Sequence, residues 1–256
     1  MNEVITTSYD PSLVIFSFAI AFLGSYIALN ATHKLQTVSK QGYNYQLMIA
    51  GIALGGIGVW AMHFVGMLAL NIPMALSYSM PETLVSLVAA IAATAFGLSM
   101  VARNPKSLKH LAGAGSMLGV GVCVMHYLGM HSMRFGGFFQ WDMVLVGASA
   151  VIALVAATAA LWLAFNTPSH AKRLLAALVM AVAVCAMHYT GMQAAEVICT
   201  TDERMALPVG FGLLSVLQLP MLVITLVVGM MLAIAINLML APLDHQKQGL
   251  HGPSGT

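Results

Sequence analysis

The chain has 256 residues, of which 60% are hydrophobic and only 7% are charged, with a formal net charge of +2. Soluble domains carry roughly 25% charged residues, so lipid is the expected solvent, and nucleic acid is not an expected partner because the few basic residues form no patch. The length allows about seven membrane spans of about 20 residues each and excludes a sizeable additional soluble domain.

Seven apolar runs are long enough to cross a bilayer. They cover residues 12–32, 46–70, 83–102, 111–131, 143–165, 173–196 and 208–240. The last run contains Pro220, which predicts either an interfacial helix or a kinked start to that span. No basic residue precedes the first run, which argues against a cleaved secretory signal, so the first span is expected to persist. The sequence predicts an all-α membrane protein with seven transmembrane helices in one domain, residues 9–240, and a short polar tail, residues 241–256.

The basic residues are divided unevenly between the two sides of the predicted spans. One side carries eight of them, in alternate loops and the tail: Lys34, Lys40, Arg103, Lys106, Lys109, Lys172, Arg173 and Lys247. The other side has only Arg134 and Arg204. By the positive-inside rule, the N-terminus is expected outside and the C-terminus in the cytoplasm.

A twelve-residue pattern occurs three times, at residues 56–67, 119–130 and 181–192. Each copy contains Met-His-aromatic-x-Gly-Met, and the three histidines, His63, His126 and His188, are separated by 63 and 62 residues. The copies fall on the second, fourth and sixth spans, so the repeating unit is interpreted as a helical hairpin. Three hairpins give six helices in parallel repeat, and the seventh helix stands outside the repeat.

The three histidines are expected to lie at one depth, roughly 10 Å from the outer loops at 1.5 Å per residue. A single intramembrane His would more simply be an interhelical hydrogen-bond partner. Three ionisable side chains at one depth in hydrocarbon are costly unless they share a purpose, which favours a common metal or proton site. The repeat determines depth and not helix rotation, so convergence of the imidazoles depends on the His faces pointing inward.

Each motif also places a methionine four residues after its His, on the same helix face. Imidazole suits copper, zinc, iron and nickel, and thioether donors shift the preference towards Cu(I). Copper, as one or more ions, is therefore the predicted cofactor, although a methionine on an apolar helix is as readily a packing residue. The predicted metal residues are His63, His126, His188, Met67, Met130 and Met192.

Other motif positions have weaker predicted roles. Cys123 and Cys185 precede their histidines by three residues, but Trp60 takes that place in the first copy, so thiolate ligation is secondary. A disulfide framework is not expected, since two of the three cysteines lie in apolar segments. The methionines directly before each His are interpreted as packing or surrounding residues: Met62, Met125 and Met187.

The glycine three residues after each His permits close helix approach and leaves room for a ligand or metal; these are Gly66, Gly129 and Gly191. The aromatic residue after each His is expected at the headgroup level or lining the site, and Phe64 excludes a shared hydroxyl chemistry. The remaining histidines are expected outside the site: His33, His110 and His170 at the cytoplasmic boundary, His131 at the surface, and His245 and His251 in the tail.

The motifs beginning at Met62, Met125 and Met187 resemble the signature repeats of the MHYT family, and the third reads Met-His-Tyr-Thr. The resemblance covers about residues 9–240. It implies a bacterial integral membrane sensory module, in the cytoplasmic membrane, with the motifs near the outer face. Members are proposed to bind copper through the motif histidines and methionines and to sense oxygen, carbon monoxide or nitric oxide. Phe64, Val65 and Leu128 depart from the Tyr and Thr of the motif and spare every His.

Members of that family often carry cytoplasmic cyclic-di-GMP or kinase domains after the last helix, which implies such a domain or protein as a partner. This chain stops soon after Leu240, so a stand-alone member or a sensor fragment is expected. Two other hypotheses remain open: a copper-dependent membrane oxidoreductase, and a metal transporter. No acidic residue recurs with the motif to act as a base, and no ionisable residue lies deep in the cytoplasmic half of the motif helices to form a path.

Overall fold

The computed structural model describes residues 3–35 and 40–249. Within them, seven helical spans are long and apolar enough to cross a membrane: Pro11–Leu35, Gly42–Leu68, Met80–Arg103, Leu108–His131, Met143–Asn166, His170–Gln193 and Gln218–Ile236. The predicted seven spans are confirmed. Ser39 of the first predicted loop and His251 of the predicted tail lie outside the described residues.

Six spans are single α-helices: α1 Pro11–Leu35, α4 Met80–Arg103, α5 Leu108–His131, α6 Met143–Asn166, α7 His170–Gln193 and α8 Gln218–Gly249. Polar side chains cap several N-termini by accepting bonds from free backbone N–H groups. Asp10 accepts from Ser12 at 2.8 Å, and Asp142 accepts from Val144 at 2.8 Å. These caps explain why the helices begin where the apolar runs do.

The second span is built differently from the others. It consists of α2 Lys40–Gly51, a π-helical segment Ile52–Ala61 and α3 Met62–Leu68. In its most apolar stretch 89% of the residues are buried, against 17–39% in the other spans. Small residues allow this close packing: a Cβ on Gly24 of α1 would lie 2.3 Å from the backbone nitrogen of Gly58.

Six spans form a closed ring. The second span packs between α1 and α4, α5 packs between α4 and α6, and α7 packs on α6 and returns to α1. The last helix, α8, lies outside this ring against the π-helical segment. Its start differs from the predicted run at 208–240, because the helix begins only at Gln218 and Pro220 falls in its first turn, where no N–H bond is lost.

Short strands join the connections at the end of the bundle that carries the motifs, here named the strand end. They are β1 Glu3–Ile5, β2 Ser8–Tyr9, β3 Leu70–Asn71, β4 Ser77–Ser79, β5 Met133–Arg134, β6 Gly137–Trp141, β7 Ala195–Cys199 and β8 Leu213–Ser215. In the described part of the chain they form three antiparallel sheets, with orders β1-β7-β6, β2-β3 and β5-β4-β8. Each pairing connects segments far apart in sequence, and an ion pair between Arg134 and Glu82 at 2.5 Å adds a further cross-link.

Candidate metal centre

The three motif histidines lie at one level in the bundle. Each stands five residues before the end of its helix, His63 in α3, His126 in α5 and His188 in α7. At 1.5 Å per residue, this places all three about 7–8 Å below the strand end. Their side chains are fully buried, with exposures of 0%, 0% and 1%.

The imidazoles converge through the same ring atom. The Nδ1 atoms of His63 and His188 are 3.0 Å apart, those of His126 and His63 are 3.1 Å apart, and those of His188 and His126 are 3.4 Å apart. The rings meet edge to face, with interplanar angles of 71° to 89°. The inward rotation that the sequence left open is therefore present at all three helices.

The other nitrogen of each ring, Nε2, packs against the motif glycine of a neighbouring helix. A Cβ on Gly129 would lie 2.2 Å from His63 Nε2, one on Gly191 would lie 2.3 Å from His126 Nε2, and one on Gly66 would lie 2.2 Å from His188 Nε2. Each His thus packs on the glycine of the next repeat, and the three contacts close a ring. The room beside these glycines, expected to serve a ligand or metal, is filled by a neighbouring imidazole.

Three Nδ1 atoms that face one another in a buried interior cannot all be satisfied by hydrogen bonds among themselves. A neutral imidazole carries one N–H, so a proton on one Nδ1 bonds to one neighbour and leaves another lone pair without a donor. The three Nε2 atoms also have no hydrogen-bond partner within the described part of the chain. Unpaired buried polar atoms are costly. A cation at the centre would accept the lone pairs of all three Nδ1 atoms and so remove that part of the cost, with each Nε2 then carrying the ring proton.

The spacing fits a metal ion. Three nitrogens bound at about 2.0 Å stand about 3.3 Å apart in tetrahedral geometry and about 3.5 Å apart in trigonal geometry. The observed separations of 3.0, 3.1 and 3.4 Å lie close to these values. Among the described residues, the three histidines are the one group of His, Cys, Asp or Glu side chains with metal-binding proximity. Cys123 and Cys185 are not in that group and are free thiols.

The motif methionines are buried near this level of the fold. Met67, Met130 and Met192 have exposures of 1%, 0% and 3% and belong to the main apolar core. The methionines before each His are also buried, and Met62 packs with Ala21 and Ala181. His33, His110, His131 and His170 are exposed, as expected.

The aromatic residue after each His anchors the motif to the next helix of the ring. Tyr127 makes a 2.6 Å hydrogen bond to Ser149 of α6, and Tyr189 makes a 2.9 Å bond to Ser17 of α1. Each serine donates its own proton to the carbonyl three residues earlier. The tyrosine hydroxyl is therefore the donor in both pairs.

The first repeat makes the same connection with a different donor. Phe64 has no hydroxyl, and the indole N–H of Trp60 donates to Ser86 of α4 at 3.0 Å. Ser86 also donates to the carbonyl three residues earlier, at 2.7 Å. Tryptophan one turn before the His thus replaces the missing tyrosine hydroxyl, which explains why Trp60 stands where the other copies have cysteine.

Sequence reasoning missed these three serines, all with exposures of 0%. The first and third spans, α1 and α4, nevertheless share a pattern that could have pointed to two of these serines. Ser17 and Ser86 are each followed eight residues later by another small hydroxyl residue, Ser25 and Thr94.

One tyrosine connects the third motif to the strand end. Tyr9 of β2 meets the Tyr189 ring edge to face, with centroids 5.8 Å apart. Burial, with a smaller contribution from Tyr189, raises the pKa of Tyr9 to about 12. Tyr9 therefore stays protonated under all ordinary conditions.

Comparison with known families decides the relationship. The MHYT repeat, described as "Bacterial signalling protein N terminal repeat", matches residues 56–114, 119–177 and 182–244. The chain belongs to the MHYT family. Each matched segment starts within a copy of the twelve-residue pattern, so the third segment ends in α8. In the fold of this MHYT domain, however, the helix that packs beside α7 and completes the ring is α1.

Several relatives of this MHYT domain are signalling proteins. It is 38% identical over 198 residues to the bifunctional diguanylate cyclase/cyclic di-GMP phosphodiesterase MucR of Pseudomonas aeruginosa, covering 75% of this chain and 29% of MucR. It is 36% identical over 193 residues to the cyclic di-GMP phosphodiesterase NbdA of the same organism, covering 73% of this chain and 24% of NbdA. Signaling protein YkoW of Bacillus subtilis is 29% identical over 198 residues, covering 75% of this chain and 24% of YkoW.

The MHYT chain therefore spans between 24% and 29% of the length of these three relatives. No solved structure matches it. The family model places it among bacterial signalling proteins, and its seven apolar helices fit a multi-pass membrane protein.

Proposed function

We propose that this chain is a membrane sensor module that binds copper through His63, His126 and His188. The signal would be a diatomic gas, such as oxygen, carbon monoxide or nitric oxide, or the redox state of the metal. The observation that carries the proposal is the triangle of buried Nδ1 atoms with edges of 3.0, 3.1 and 3.4 Å. Copper, when bound, supplies a one-electron redox change and affinity for small diatomic molecules.

The charge of the site favours a monovalent ion. No carboxylate belongs to the cluster within the described residues, so the three imidazoles would be neutral ligands and would leave the charge of the metal uncompensated. The cost of burying an ion grows with the square of its charge, and a divalent ion would therefore be much less favourable than Cu(I). Met67, Met130 and Met192, buried on the same helices, are proposed as additional soft donors.

The chain's own residues would hold this centre rigidly and keep it dry. The motif glycines seat the three rings, and the links from Tyr127, Tyr189 and Trp60 to buried serines fix the rotation of each motif helix. Supported in this way, the Nδ1 atoms would need little rearrangement to bind an ion, which is how preorganised sites gain affinity.

We further propose an arrangement in which three hairpins place the strand end outside the cell and the C-terminus in the cytoplasm, in the bacterial inner membrane. The positive-inside distribution supports this orientation. A cyclic-di-GMP or kinase domain or protein would receive the signal. Two relatives support the cyclic-di-GMP alternative, since their names state synthesis or hydrolysis of that nucleotide.

The first test is elemental analysis of protein purified in detergent. Wild type should contain stoichiometric copper, and the triple variant with His63, His126 and His188 changed to Ala should contain almost none. His131→Ala is the matched control because His131 is exposed on α5, five residues after His126. Equal metal in the triple variant, or no metal in wild type, would refute the site.

Two further measurements refine the proposal. Replacing Met67, Met130 and Met192 by leucine conserves side-chain volume. A fall in copper affinity without loss of the fold would support thioether ligation. Unchanged copper affinity would show that these methionines are not ligands. A gas-dependent spectrum without turnover would support the sensor. Catalytic consumption of oxygen would instead indicate an oxidoreductase.

A further inference from the structure

A partly enclosed cavity begins one helical turn from the His triad, on the side away from the strand end. Its volume is about 40 Å³. Three of its lining residues are Val59, Val122 and Val184, each four residues before a motif His. One helical turn is about 5.4 Å, so these valines form the layer directly below the three imidazoles. Met187, adjacent to His188, also lines the cavity.

The lining offers nothing to a polar ligand. Thr94 is the one polar side chain among its described lining residues, and the Thr94 hydroxyl donates to the Ala90 carbonyl at 2.8 Å. A buried water needs two to four polar partners, and apolar cavities stay dry. The chemistry of this cavity therefore selects an apolar molecule.

The size limits the ligand further. A cavity of about 40 Å³ exceeds the roughly 10–15 Å³ that one water requires and is far below the roughly 150 Å³ that accommodates benzene. A molecule of two or three heavy atoms fits. Small alanines of α6 and α7 form one part of the wall, and of these Ala156, Ala160 and Ala183 are half-buried. An apolar molecule dissolved in the bilayer would meet small side chains on this side of the cavity.

We propose that this cavity is the docking site for a small apolar diatomic molecule, held one turn below the His triad before it reaches the centre. The sensing role of the cavity rests on the proposed function, whereas its occupancy does not. A molecule held here would approach the triad through the valine layer rather than from the strand end.

Xenon is a suitable probe because it occupies apolar cavities and needs no metal. Crystals of the purified protein under xenon pressure should show an anomalous peak among Val59, Val122 and Ala157. Ala183→Leu should abolish the peak by filling the cavity, and Ala186→Leu should retain it, since Ala186 is exposed on the same helix. Ala157→Leu fills the cavity from α6 and provides a second variant should the first not fold. A wild-type crystal with no xenon in the cavity, or a peak that persists in the folded filled variants, overturns the inference.

The connection to the triad is tested on copper-loaded protein by carbon monoxide association. Ala183→Leu should slow association by about tenfold or more at unchanged copper content, and Ala186→Leu should not. Loss of xenon with an unchanged association rate overturns the docking role. Xenon in the cavity of a protein that binds no copper supports the cavity and refutes the proposed function, so the two failures are distinguishable.

Discussion

Replacing Gly129 by alanine places a methyl group where the His63 ring lies. The new Cβ would be 2.2 Å from His63 Nε2, whereas non-bonded carbon contacts need about 3.5 Å. The ring must shift by more than about 1 Å, which displaces its Nδ1 from a triangle whose edges are 3.0 and 3.1 Å at that corner. The substitution therefore perturbs the centre without removing any of its histidines.

The magnitude follows from two opposing effects. Overpacking a well-filled interior lowers the free energy of unfolding by about 1–3 kcal/mol. Replacing a helical glycine by alanine raises it by about 0.8–1 kcal/mol. Gly113→Ala on the same helix is the matched control, because a Cβ there meets nothing within 4 Å. The control should be unchanged or stabilised, and Gly129→Ala should be less stable than the control by about 1–3 kcal/mol.

Thermal unfolding and copper content, measured side by side on wild type and the two variants, test this reasoning. Gly129→Ala should unfold at a lower temperature than Gly113→Ala and should bind copper more weakly than wild type. If the two variants have the same stability and the same copper content, the interlocked packing of His on glycine is wrong.

Three further outcomes are expected. Tyr127→Phe removes the hydroxyl donor to its α6 serine and should lower the free energy of unfolding by about 0.5–1.5 kcal/mol; an unchanged denaturation midpoint would argue against that bond. Trp60→Cys should be destabilising alone, and adding Phe64→Tyr should restore part of the loss, which a double-mutant cycle on thermal stability measures as a coupling; strictly additive effects would contradict the exchange of donors. Because the pKa of Tyr9 is raised to about 12 from an ordinary value near 10, its contribution to stability is complete below about pH 10 and is lost as pH rises towards 12. Tyr9→Phe should flatten that alkaline loss, and an identical pH profile would contradict it.

The depth of the site could be predicted from the sequence because it depends only on the position of each His relative to a helix end. The facing of the imidazoles could not, because helix rotation is decided by packing between helices. The second span shows why. Its π-helical segment Ile52–Ala61 changes the rotation before His63, and the corresponding stretches of α5 and α7 are ordinary α-helix despite the shared pattern.

The strand end was also beyond prediction. Its strands are two to five residues long and pair segments far apart in sequence, such as Glu3–Ile5 with Ala195–Cys199. Such pairings depend on the helices having already brought the connections together. Six of the eight strands have only two or three residues, and the alternating apolar pattern that identifies longer strands needs four or more residues to be recognisable.

The partners of the motif aromatics were missed for a related reason. The motif determines only which residues share a face of one helix. Tyr127, Tyr189 and Trp60 donate hydrogen bonds to serines of the neighbouring helices. Phe64 has no hydroxyl with which to make such a bond. The contact that Phe64 lacks is supplied by Trp60, one turn earlier, whose indole N–H donates to a serine of the neighbouring helix.

X-ray absorption at the copper edge, on purified protein loaded with copper, tests the central claim most directly. Convergence of His63, His126 and His188 on one ion predicts about three nitrogen scatterers near 2.0 Å with the outer-shell pattern of imidazole, and loss of this signal in the triple alanine variant. A first shell without imidazole, or the same spectrum in the triple variant, would contradict the account.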